Sequence, residues 1–293
     1  TGTAIAAAGT TYRLPLNPGA VSFGNAIGSD IVGSTASVNT TILSSSGNPV
    51  VGNYTQTAGT LTGADAGNYS FSGYTTPTAN YTITPLALTV TSIAAVNTTY
   101  GTPAATGAVG LSGVVGGDVV TSTAGIVSPT YSTSGNLNAG SYAQNASSLS
   151  GADAGNYTLA PYTTPTANYT VGRLALTGGV TAGNKIYDGT TVATIASRSL
   201  AGVVGADDVS YAGGTASFAD RNVGAGKAVT ASGLALTGAD AGNYTVNSMA
   251  GTTADITARP ITVTAVTHTK VYDGTTSAAA SPGIAGGSLA AGD

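Results

Sequence analysis

A nine-residue phrase occurs three times in this chain, and its spacing sets the fold. Leu61-Thr-Gly-Ala-Asp-Ala-Gly-Asn-Tyr69 returns with one change as Leu149 to Tyr157 and again, unchanged, as Leu236 to Tyr244. The closing tyrosines stand 88 and 87 residues apart. A second landmark keeps nearly the same step, since Tyr12, Tyr100, Tyr187 and Tyr272 lie 88, 87 and 85 apart. Two independent landmarks with one period point to whole small domains copied in tandem, not to a short motif. The boundaries that follow are residues 1–85, 86–172 and 173–258, with 259–293 starting a fourth, incomplete module. In the tyrosine register Thr1 falls inside a first strand and Asp293 falls mid-domain, so the expectation is a window on a longer protein.

Composition selects the secondary structure. Only 7% of residues are charged and Glu is absent, while 42% are apolar and Thr, Val and Gly abound. Such a chain has little that favours helix and much that favours strands, and it is too apolar to stay disordered. Each module closes on an alternating stretch, such as Asn80 to Thr84, and the next opens on another, such as Leu86 to Thr91. Period-two alternation marks half-buried strands. The joints are Pro85, Gly172-Arg173 and Ala258-Arg259-Pro260, too short to act as flexible tethers. In the third module we read strands near 174–179, 191–196, 207–212, 215–219, 227–234, 243–247 and 253–257. The expected fold is all-β: tandem immunoglobulin-like antiparallel β-sandwich modules forming an extended rod.

Leu-x₃-Asp-x-Gly-x-Tyr resembles the tyrosine corner of immunoglobulin-like sandwiches, where a tyrosine hydroxyl turns back onto the preceding loop. On that reading Leu61, Leu149 and Leu236 open the corner, and Asp65, Asp153 and Asp240 accept backbone N–H bonds in its turn. Gly67, Gly155 and Gly242 permit positive φ or close approach, while Tyr69, Tyr157 and Tyr244 bury their rings. Calcium is the competing reading of Asp-x-x-Asn, but one carboxylate and one amide per loop fall short of its six to eight oxygens. The second landmark, Lys185-Ile-Tyr187-Asp188-Gly189-Thr-Thr191 and Lys270-Val-Tyr272-Asp273-Gly274-Thr-Thr276, reads as a tight turn.

The run from Lys185 to Thr191, with Leu200 to Val209, Ala216 to Gly224 and Leu236 to Tyr244, resembles the YDG repeat. Modules one and two resemble its companion, the glycine-rich MBG repeat. Such repeats belong to large filamentous-haemagglutinin-like bacterial surface proteins, many exported by two-partner secretion. The resemblance implies an extracellular, cell-surface location and a mechanical role, and it transfers no catalytic residue.

The inventory of reactive groups also argues against an enzyme. There is no Cys or Glu, and His268 is the one histidine, so nucleophile–base pairs and transition-metal sites lack their parts. Gly113, Gly116 and Gly117 precede no helix or Walker lysine, and phosphate binding is not supported. A net charge of −4 offers no nucleic-acid partner, and no apolar run is long enough for membrane insertion. We expect no metal and no cofactor. Gln56 and Gln144, 88 apart, are weak candidates for a Thr–Gln ester. Asn-x-Ser/Thr sequons are numerous, as chance produces in a Thr-rich chain.

Two functional expectations follow. The first is a non-enzymatic stalk or filament segment of a secreted adhesin. The second is a repeat that itself binds glycans or a surface, through Tyr74, Tyr81, Tyr162 and Tyr169. Residues 1–172 hold five charged side chains (Arg13, Asp30, Asp65, Asp118 and Asp153), so their strand edges lack the usual lysine guard. Copies of the chain itself, or glycans, are the expected cover.

Overall fold

The computed structural model describes residues 3–277 and 279–293, and the chain is all-β. Among the described residues the helical segments are three single 3-10 turns: Ala66–Asn68, Ala154–Asn156 and Ala241–Asn243. Each sits on one copy of the nine-residue phrase. The chain divides into two compact units. One comprises Thr1–Asn97, Ala104–Pro129 and Ser141–Thr170; the other comprises Thr98–Pro103, Thr130–Gly140 and Val171–Asp293.

In the first unit, Gly33–Val38, Gln56–Thr62 and Tyr74–Thr75 form one antiparallel sheet. Tyr81–Thr84 is the centre of another, antiparallel to Gly52–Tyr54 and parallel to Ala8–Thr11. Leu86–Ile93 splits its pairing along its length. Its first residues run parallel to Tyr157–Leu159, and its later ones run antiparallel to Val109–Ser112. In the second unit Leu174–Ala182 does the same, parallel to Tyr244–Val246 and then antiparallel to Ile195–Ala201. Lys185–Ile186 then pairs parallel with the end of Met249–Thr257. The sheets are therefore mixed where wholly antiparallel ones were expected. An opening strand that changes partner midway meets the closing strands of its own repeat running in the same direction.

Alternation predicted most third-repeat strands but misread one glycine pair. The stretches 207–212 and 215–219 are one strand, Ser210–Phe218. Gly213 and Gly214 take φ of +71° and +83°, and Gly233 on the partner strand takes +73°. The ladder stays antiparallel on both sides of them, from Gly213↔Leu234 to Thr215↔Ser232. Left-handed glycines here distort a strand without ending it. Ile195–Ala201 is a strand the alternation did not reveal.

The hydrophobic cores are small, and their bulk is unevenly placed. Ile5, Ala36 and Ala58 form one cluster of the first unit, and Ile93, Ala124 and Ala146 form another. Between them in sequence lies a heavier cluster of Tyr12, Tyr81, Ile83, Leu88 and Tyr157. It packs residues from both sides of Pro85. In the second unit Tyr211, Phe218, Val229, Leu234 and Ile256 anchor the core. Large aromatic rings carry most buried area per residue, so the junction at Pro85 is among the best-packed places in the first unit.

Candidate functional site

The conserved-sounding phrase folds around a glycine two residues before its aspartate. Gly63, Gly151 and Gly238 have φ of +111°, +110° and +114°. A Cβ on them would lie 2.2, 2.3 and 2.2 Å from the carbonyl oxygens of Ile31, Val119 and Asp208. Only glycine fits such a position. Gly67, Gly155 and Gly242, expected to fill that role, lie inside the 3-10 turns with open space around them. The aspartates do accept backbone N–H bonds, but from far upstream. Asp65 Oδ2 takes Ile31 N at 2.8 Å, Asp153 Oδ2 takes Val119 N at 2.8 Å and Asp240 Oδ2 takes Asp208 N at 2.9 Å.

The corner tyrosines reach a second aspartate. Tyr69 donates to Asp30 at 2.7 Å, and Tyr157 donates to Asp118 at 2.5 Å. Tyr244 donates to Asp207 at 2.5 Å. Each phenol oxygen also accepts a backbone N–H, from Ile27, Val115 and Val204. The expected local capture by the preceding loop is thus replaced by a carboxylate some forty residues back.

Asp118 and Asp207 are where the second landmark arrives. Tyr12 donates to Asp118 Oδ2 at 2.6 Å, and its oxygen is also 2.6 Å from Ser44 Oγ. Its ring meets that of Tyr157 edge to face at 5.3 Å. Ser46 N donates to the other oxygen of Asp118 at 2.9 Å, Ser45 N to Asp153 at 3.0 Å and Val51 N to Asn156 Oδ1 at 2.9 Å. Within the second unit the same lock recurs. Tyr100 donates to Asp207 beside Ser132, and its ring stacks edge-on with Tyr244 at 5.1 Å. Ser134 N holds Asp207 at 3.0 Å, Thr133 N holds Asp240 at 3.2 Å and Ala139 N holds Asn243 at 2.7 Å. A third, reduced form joins Tyr187 to Asp293 at 2.8 Å.

These carboxylates are held by hydrogen bonds and not by cations. Burial opposes ionisation of Asp118, yet the bonds from Ser46, Tyr12 and Tyr157 outweigh it and bring the carboxyl down to about 2. Asp207 is driven lower still by Ser134, Tyr100 and Tyr244, against its burial. Burial first, then the carboxylate beside them, raise Tyr12, Tyr100, Tyr157 and Tyr244 above the ordinary phenol value. The depressed acids contribute stability that is whole above about pH 5 and is lost as pH falls from about 4 through their folded values. The raised phenols contribute stability that is whole below about pH 9 and is lost as pH climbs past about 10. Titration by tyrosine absorbance alongside circular dichroism should show these four phenols ionising only as the β signal collapses. Reversible titration of all 15 tyrosines with the fold intact would count against the lock.

The remaining candidates sort clearly. In the tight turn Asp188 accepts Thr190 N at 2.9 Å and Lys185 Nζ at 2.8 Å, with Gly189 at φ +77°. Asp273, Lys270 and Gly274 repeat it. Tyr81 and Tyr169 are 0% and 2% exposed, so they are core residues and not part of a ligand face. Tyr74 and Tyr162 are half-buried and pack on the small alanine clusters. Gln56 and Gln144 act as fully bonded amides (Nε2 to Ala6 O and Ala94 O, Oε1 from Gly19 N and Gly107 N). Asn156 and Asn243 are buried in the locks, which removes them as glycan acceptors. His268 is exposed and lies outside any strand. Among the described residues no three His, Cys, Asp or Glu converge.

Residues 168–254 match the YDG domain, the same stretch that carries the tight turn, the Asp207 pair of aspartates and the third copy of the phrase. No curated protein and no solved structure matches the chain.

Proposed function

We propose that this chain is a non-enzymatic structural segment of a secreted bacterial surface adhesin, serving as stalk or filament body. Its repeats would be immunoglobulin-like sandwiches set end to end as a stiff spacer. One observation supports this above the rest: the best-organised polar clusters of the chain, at Asp118 and Asp207, fasten one repeat to the next. Their charge is spent on hydrogen bonds from tyrosines and backbone amides. Repetition with locked joints fits a chain whose task is to span distance.

Small-angle scattering of the dilute chain tests the reading. Three modules of about 35–40 Å in line give roughly 110 Å, against a radius of gyration near 19 Å for a compact chain of this length. A compact value would overturn the spacer.

A further inference from the structure

The lock exists in three positions, and one of them is open. Asp153 and Asp240 are 5% and 6% exposed, and Asn156 and Asn243 are 5% and 4%. Each receives backbone N–H groups from the repeat before it. Their counterparts one step earlier are Asp65, half-buried, and Asn68, exposed. Asp65 bonds Ile31 N, and Asp30 bonds Tyr69. Among the described residues no tyrosine or hairpin arrives from outside, as Tyr12 and Ser44–Ser46 arrive at Asp118. Ile27 at the rim is 73% exposed, whereas Val115 and Val204 at the same position are half-buried. In the second unit Val204 is the residue a side chain on Gly101 would strike, at 2.8 Å. So the surface around Ile27, Asp30, Asp65, Asn68 and Tyr69 is the surface that a neighbouring repeat covers at the other two positions.

A matching free part is present as well. The Lys270–Thr276 turn has the geometry of the Lys185–Thr191 turn: Lys to Asp at 2.8 Å in both, and glycine φ of +74° and +77°. In the earlier turn Tyr187 reaches Asp293, and Gly189 lies against Ala290 and Ala291. In the later turn Tyr272 and Val271 are 93% and 89% exposed. The turn is set by its own Lys–Asp–Thr bonds, so its tyrosine is presented without a partner.

We propose that the surface around Ile27, Asp30 and Tyr69 is an acceptor for a second copy of this chain, which docks through its Lys270–Thr276 turn. Tyr272 of the incoming copy donates to Asp30 as Tyr12 does to Asp118, and the turn covers Ile27. Acceptor and donor are different patches, so the contact is head-to-tail and propagates into a linear assembly instead of closing as a dimer. The inference deepens the spacer reading, and the two fail separately. A compact dilute chain sinks the spacer alone, and a chain that never associates sinks the contact alone.

Sedimentation velocity on the full chain between about 10 μM and 1 mM, a range suited to a small interface, should show a concentration-dependent ladder. Tyr272→Ala and Ile27→Lys alter highly exposed side chains, so each variant should fold, and each alone should associate at least about tenfold more weakly. Mixed together they should form one-to-one dimers and nothing larger, since the mixture retains one working acceptor and one working donor. A monomer throughout the range overturns the contact. So does a ladder that both variants leave unchanged, which would place association on the sheet edges.

Discussion

Replacing Asp207 by alanine is expected to destabilise the chain by about 3–5 kcal/mol, the scale for stripping one partner from a buried, charge-assisted network. The carboxylate accepts both phenol hydroxyls, Tyr100 and Tyr244, on one oxygen and Ser134 N on the other. It is 8% exposed. Without it three donors lose their acceptor where water is scarce, and the two rings lose the anion that aligns them. The bonds act as a unit, so the loss is less than a sum of three. Asp207→Asn retains the volume and one acceptor oxygen, and should fall between alanine and the parent. Asp30→Ala provides the internal control: the same carboxylate with Tyr69 as its phenol, at an exposed site, should cost about 1 kcal/mol. Urea unfolding followed by tyrosine fluorescence suits a chain with 15 Tyr and no Trp. Equal losses at Asp30 and Asp207 would mean that the arriving tyrosine and hairpin contribute nothing.

The lock was half legible in the sequence. Charge is so scarce before residue 173 that each aspartate there stands out, and Asp30 to Asp118 and Asp65 to Asp153 both keep the 88-residue step. That arithmetic marks four aspartates as equivalent pairs. It does not say that Tyr12 meets Asp118, because the two are 106 residues apart and their meeting depends on how one repeat abuts the next. The phrase itself misled in one detail. Gly63 and Gly67 flank Asp65 symmetrically, and which glycine takes positive φ is decided by the carbonyl of Ile31 pressing on it. Turn chemistry read locally cannot see that contact. The strand content, in contrast, followed from alternation and β-branched residues, since those are local properties. Where alternation failed, at Gly213 and Gly214, two paired strands shared the distortion and the ladder continued.

Gln144→Ala should rank beside the Asp207 variant, at about 3–5 kcal/mol, although no charge is involved. The side chain is 0% exposed. Its Nε2 donates to Ala94 O at 3.0 Å and Asn168 Oδ1 at 2.9 Å, and its Oε1 accepts Gly107 N at 2.7 Å. Asn168 passes the connection on to Ile93 O at 2.9 Å. One amide thus ties three separated backbone segments, and Gln56 does so identically with Ala6, Gly19 and Asn80. The third repeat explains why the first two need it. The position 87 residues after Gln144 is Ala231, in the 14-residue strand Gly224–Thr237, paired with Ala216 on one side and Ala250 on the other. There the backbone ladder satisfies the polar groups; the strand Gln144–Ala146 is only 3 residues long, and the side chain completes the bonding. Gln144→Leu separates the causes, because it nearly fills the volume and leaves the same groups unpaired. Thermal or urea unfolding should place leucine close to alanine. A leucine variant as stable as the parent would show that packing, not the amide, holds the segments together.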